Sequence, residues 1–269
     1  MSIEILQFAF MQRALVAGIL TGSALSLLGV FVVLRKSAFF GDAVAHFAFA
    51  GVALGFLLAV DPIAAAVAVS VALALAIGYI QQRAPAQALD TLIGIFFSGA
   101  AAFGIFVIGL LRGYRADLFQ FLFGDIIAIA PTDVLFSAGV SLVVGLIFFF
   151  LWRSLFKITF NREVARVAGV PVALYDYLFL GLLAAVTAVS IKIIGIILVP
   201  ALLVVPAAAA KNISTSFRQM VIYAVVFGII SIIPGLVGSF YLNTAAGATV
   251  VLVSILIFAV TFLLRLSGR

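Results

Sequence analysis

Phe39-Phe40-Gly41-Asp42-Ala43-Val44-Ala45-His46-Phe47-Ala48-Phe49-Ala50-Gly51-Val52-Ala53-Leu54-Gly55, continuing apolar to Val60, reads as one hydrophobic helix with two ionisable side chains near its start. A run of this length spans the ~30 Å hydrocarbon core of a bilayer at about 1.5 Å per residue. Asp42 and His46, the only imidazole in the chain, stand four residues apart, which places both side chains on one helix face. Ionisable groups inside a bilayer are expensive and usually mark a path for something polar. A hard oxygen donor beside an imidazole suits a divalent transition metal. Two structural readings stand beside the metal reading. A carboxylate near a helix N-terminus can serve as a dipole-stabilised cap, and a lone histidine can hydrogen-bond a neighbouring carbonyl.

Outward from this run the same texture repeats. The chain is 67% hydrophobic and 9% charged, with a mean hydropathy of +1.42, whereas soluble domains carry about a quarter charged residues. The fold class is an all-α polytopic membrane protein, because a β-barrel would show alternating ~10-residue segments. Apolar stretches near 14–34, 39–60, 63–81, 91–111, 132–152, 174–191, 194–210, 219–240 and 248–264 give nine spans, or eight if the short 194–210 stretch does not cross. That stretch holds Pro200 and Pro206 and follows Lys192 and Gly195, which predicts a broken helix covered by protein. Asp61-Pro62 predicts a tight turn between the second and third spans. The fifteen basic residues are scattered rather than clustered, so the net charge is no nucleic-acid surface. There is no cysteine, which excludes disulfides and thiolate sites. Met1 to Arg13 lacks the basic start of a cleavable signal.

The basic residues also orient the chain. With the N-terminus outside and the C-terminus cytoplasmic, Arg35, Lys36, Arg83, Arg153, Lys157, Arg162, Arg166, Lys211, Arg218, Arg265 and Arg269 share the cytoplasmic side. Arg13, Arg112, Arg115 and Lys192 do not, and Asp61, Asp117, Asp125 and Asp133 lie outside with Glu4. The sequence reads as a single transmembrane domain over 1–269 with two longer connections. The outer one, about 112–131, is semi-polar and reads as short interfacial helices that could receive a partner. The inner one, about 153–176, carries Asn161 to Pro171, a short amphipathic helix stopped by Gly169 and Pro171.

Two ligands fall short of a usual coordination shell. Two copies facing each other across a two-fold axis would supply two Asp and two His. Gly41, Ala45, Ala48, Gly51 and Gly55 would permit close helix approach, either between copies or within one bundle. An imidazole ligates only when neutral, so binding by such a set weakens below about pH 6.5.

These residues bring a relative into view. Phe10 to Leu15, Leu28 to Arg35, Gly41-Asp42 to His46, Gly51 to Gly55 and Asp90-Thr91-Leu92-Ile93-Gly94-Ile95 occur in order. Asp117-Leu118, Leu122-Phe123-Gly124-Asp125, Ala165 to Val170, Gly195 to Ala209 and Gly247 to Val253 follow. Together they resemble the permease subunits of bacterial metal-ion ABC importers of the zinc, manganese and iron type, over nearly the whole chain. The resemblance implies a bacterial cytoplasmic membrane and a pore of two permease copies. It also implies two cytoplasmic ATPase subunits and an extracytoplasmic metal-binding protein that delivers the ion. It implies Asp42 and His46 as metal contacts, and a coupling helix running through Arg162, Glu163, Ala165, Arg166 and Gly169. No phosphate-binding Gly-x-x-x-x-Gly-Lys-Ser/Thr loop is present. ATP therefore belongs to a partner, and the chain binds no cofactor of its own. Zinc-type relatives often carry a histidine in the fourth span where this chain has Ser98. Manganese and iron stay open on that account, with zinc slightly preferred from the look of Asp90 to Ile95 and of Phe123-Gly124-Asp125.

Three other functions would use some of the same residues. A permease for a cobalamin or siderophore complex would share Ala165-Arg166 to Gly169-Val170 but favour a wide pore without paired ligands. An intramembrane aspartyl protease would use Tyr175-Asp176 and Gly41-Asp42, yet their order is reversed and the glycine pair incomplete. A proton-coupled transporter needs a relay of buried acids, and only Asp42, Asp90 and Asp176 lie near spans.

Overall fold

The computed structural model describes residues 7–84, 88–111, 124, 129–196 and 198–267, excepting the side chain of residue 193. The helices are α1 (Ala9–Leu34), α2 (Ala38–Leu57), α3 (Pro62–Arg83), α4 (Leu89–Leu110), α5 (Pro131–Phe160), α6 (Arg162–Val167), α7 (Val172–Ile194), α8 (Val199–Ile213), α9 (Phe217–Leu242) and α10 (Ala246–Ser267). Among them eight are long and apolar enough to cross a bilayer, and α8 is the apolar helix that is too short. By length and composition the candidate spans number eight, the lower of the two counts expected, with the short α8 beside them. Gly195, at φ 93°, takes the chain out of α7, and Pro200 enters α8 in its first turn, where a missing N–H costs nothing. With 15 residues, α8 is about 22 Å long at 1.5 Å per residue.

One boundary moved substantially. α5 runs for 30 residues, about 45 Å, so the expected inner connection begins as helix. Nothing between Trp152 and Phe160 breaks a helix, and the first residue that does is Asn161, which caps α6. The expected outer connection at 112–131 lies outside the described residues except for Gly124 and its last three positions.

The helices gather into two compact units. One contains α1 up to Val33, the start of α5 to Ser141, and everything from Ser190 onward. Within it α8, α9 and α10 pack against one another, and the Phe31 ring meets Phe217 edge-on at 5.6 Å. Lys192 Nζ donates to Asp133 Oδ1 at 2.6 Å, while Asp133 Oδ2 accepts from the Ala130 N–H at 2.9 Å.

The other unit contains α2, α3, α4, α5 from Leu142, α6 and α7 to Val189. α2 is its centre, with Phe40, Val44, Phe47 and Val52 buried and α3 and α4 packed on it. The small residues of α2 serve this packing inside one chain. A Cβ at Gly51 would lie 2.6 Å from Ala66 Cα, and one at Gly55 2.8 Å from Pro62 Cα. Ala45 and Ala48 are fully buried. The Gly-x-x-x-Gly pair is a seat for α3 and lends no support to pairing between copies.

The α2–α3 turn follows the sequence expectation. Asp61 Oδ1 accepts from Ala64 N at 2.7 Å, and Pro62 occupies the first turn of α3. Removing such a cap costs about 1 kcal/mol. Asp61→Ala is therefore expected to lower thermal stability in detergent by that amount, with faster amide exchange confined to residues 63–65.

Candidate metal and coupling sites

Asp42 is the fifth residue of α2, one turn past the N-terminus, so its carboxylate does not cap the helix. Instead the histidine turns back on it. His46 Nδ1 lies 3.1 Å from the Asp42 carbonyl oxygen and 4.0 Å from carboxylate oxygen Oδ1. A carbonyl can only accept, so the bonded Nδ1 carries a proton, and in the neutral ring the lone pair is then on Nε2. Metal-binding histidines are commonly oriented in this way, through the other ring nitrogen. The carbonyl bond expected of a purely structural histidine is thus present. The ring packs on Phe97 of α4, with centroids 4.4 Å apart. Both side chains keep access to the surface of a mostly buried helix, with 46% of Asp42 and 30% of His46 exposed. Among the described residues no three His, Cys, Asp or Glu side chains cluster as a metal site.

The second candidate region is α6. Asn161 caps it by accepting from Glu163 N and Val164 N, each at 3.0 Å. Gly169, at φ 76°, closes it with a conformation that glycine adopts at no cost. Ala165 is fully buried beside Ile158 of α5 and Val172 of α7, with Val170 and Tyr175 against them. Arg162, Glu163 and Arg166 are exposed. The amphipathic pattern is narrower than expected, because Val164 and Val167 also face outward, Val167 being 90% exposed.

Sequence reasoning missed a third cluster. Asp176 of α7 is buried and accepts from Arg35 Nη1 at 3.0 Å through Oδ1. Its Oδ2 pairs with Arg162. Arg35 Nε also donates to Thr159 Oγ1 at 3.2 Å, and its guanidinium lies 4.5 Å over the Phe179 ring. Burial lowers the Arg35 pKa from its ordinary value, and the Asp176 carboxylate opposes that shift. A cavity of about 290 Å³ adjoins the cluster, lined in part by Lys36, Gln81, Ile158 and Leu180. The available signal was Asp176 itself, an acid inside an apolar run.

The family model described as the ABC 3 transport family matches residues 7–265. The manganese transport system membrane protein MntC of Halalkalibacterium halodurans is 37% identical over 96% of this chain and 88% of its own length. The high-affinity zinc uptake system membrane protein ZnuB of Haemophilus influenzae is 38% identical over 95% of this chain and 99% of its own. Among solved structures, PsaBC from Streptococcus pneumoniae in complex with Fab superposes with a TM-score of 0.87 at 34% identity, covering 97% of this chain and 94% of the other.

Proposed function

The chain belongs to the ABC 3 transport family, and we propose that the ion its importer carries passes Asp42 and His46, bound by carboxylate and neutral imidazole. It is a multi-pass permease of a bacterial inner membrane and a transport subunit rather than an enzyme, with ATP hydrolysis in a separate ATPase subunit. Its cargo is a divalent transition metal ion. The manganese and zinc proteins match it at nearly equal identity, so the choice of metal rests on uptake. A wide pore for a chelate is not favoured. The protease reading fails on Asp176 as well, because both of its oxygens are committed to arginines.

The observation that carries the site is the bond from His46 Nδ1 to the Asp42 carbonyl. In the neutral ring it puts the proton on Nδ1 and the lone pair on Nε2, and the Asp42 carboxylate stands partly exposed on the same face of a mostly buried helix. A weak two-ligand site in each copy suits transport, which requires release as well as capture. Two copies around a shared axis would complete the shell. An extracytoplasmic metal-binding protein would deliver the ion, and two ATPase subunits would dock on α6 from the cytoplasm. With the short α8 returning the chain to the cytoplasm as a ninth crossing, the N-terminus lies outside and the C-terminus inside, following the distribution of Lys and Arg. Lys192 is an exception to that distribution, and its charge is neutralised by Asp133.

The test is ATP-dependent uptake of Zn, Mn and Fe by the permease reconstituted with its ATPase and binding protein. Wild type is compared with Asp42→Ala and His46→Ala. Loss of uptake in both variants, with assembly intact, supports the site and identifies the ion. Unchanged uptake in both makes the pair structural.

A further inference from the structure

Asp176 is the buried acid among the described residues, and the ion path proposed above makes no use of it. Its two oxygens are divided between segments distant in the chain. Oδ2 holds Arg162, the first residue of α6. Oδ1 holds Arg35, in the short connection between α1 and α2, seven residues before Asp42. Arg35 is tied to its place, since its side chain is only 17% exposed and a buried guanidinium without its counter-charge is strongly disfavoured. Thr159, Phe179 and Asp176 are what hold it there, and its Nη2 finds no hydrogen-bond partner among the described residues. Where Asp176 moves, Arg35 follows. The adjoining cavity of about 290 Å³ leaves room for the α1–α2 corner to shift without repacking the centre of α2.

We propose that Asp176 is a coupling latch. It joins α6 to the root of α2 through Arg162 on one oxygen and Arg35 on the other, so that displacement of α6 by the ATPase reaches Asp42 and His46. The inference rests on the reading of α6 as the docking helix. In this role Arg35 and Asp176 are positioning residues and touch no ion.

Arg35→Gln cuts the tether together with the guanidinium's contacts to Thr159 and Phe179. It removes a costly buried charge and leaves Asp176 paired with Arg162, so the fold and the seat of α6 are spared. In proteoliposomes holding the whole importer, metal uptake and ATP hydrolysis are measured together as ions moved per ATP. The latch predicts at least a tenfold fall in that ratio for Arg35→Gln and substantial recovery in Arg35→Lys, which restores the charge. A purely structural role lowers assembly, so that uptake and hydrolysis fall in parallel with the ratio unchanged, which overturns the latch. If Arg35→Gln does not assemble, the same ratio in Asp176→Asn decides in the same two ways. The docking reading is checked separately by a single cysteine at Val167, since the chain has none of its own. No cross-link from that position to the ATPase removes the docking reading and the latch with it. A cross-link with an unchanged ratio removes the latch alone.

Discussion

Gly29→Ala is expected to leave little folded permease. A Cβ at this position would stand 1.7 Å from the Leu203 carbonyl oxygen and 2.9 Å from its carbon, so α1 and α8 touch backbone to backbone. The obstacle is a main-chain group inside a helix, which no rotamer change can move aside. One helix would have to withdraw by more than an ångström from a packed bundle, where Phe31, Val32 and Leu203 are fully buried. Overpacking a core with softer neighbours costs about 1–3 kcal/mol, and a rigid backbone contact belongs at or above the top of that range. Gly94 in α4 is the control, because nothing lies within 4 Å of its would-be Cβ. Gly94→Ala is expected to be neutral, or stabilising by about 0.5–1 kcal/mol through reduced freedom of the unfolded chain. Yield of monodisperse protein and thermal unfolding in detergent measure both. Wild-type behaviour of Gly29→Ala would mean that α1 and α8 are not in contact at this depth.

What the sequence made legible here was local. Apolar runs broken by Asp61-Pro62, and interrupted near Gly195, placed the helices, because each breaker acts within its own turn. The same holds for α6 and its Gly169 stop. Asp42 and His46 could be read as sharing a face, since four residues fix that relation on any helix. Contacts between distant segments were not legible. Arg35 and Asp176 are 141 positions apart, and Lys192 and Asp133 are 59 apart. In the sequence all four look like separate charges near span ends. The small residues of α2 show the same limit. Their spacing announces a close neighbour without saying which one, and that neighbour is α3 of the same chain. α5 was cut short for a related reason. Hydropathy falls from Trp152 to Phe160, but helix geometry continues until a residue offers the backbone an alternative.

Asp42→Ala and His46→Ala are each expected to lower the initial rate of ATP-dependent ion uptake by about 100-fold or more. Loss of an outer-shell partner alone typically costs 10–100-fold in metal affinity, and these residues are proposed as ligands. The two substitutions remove different things. The proton on Nδ1 is held by the backbone carbonyl of residue 42, which alanine retains, so Asp42→Ala deletes a carboxylate while His46 stays prepared to bind. His46→Ala deletes the imidazole and leaves the carboxylate as it was. If both groups hold the same ion, either loss already breaks the site, and the double variant falls only a few-fold below the worse single one. If each serves a separate step, the losses multiply toward about 10⁴-fold, because independent effects add as free energies. The cycle is read with a radiolabelled ion at matched assembly and matched ATP hydrolysis. Multiplicative losses would dissolve the shared site. A single variant that kept half the wild-type rate would exclude that residue from the path.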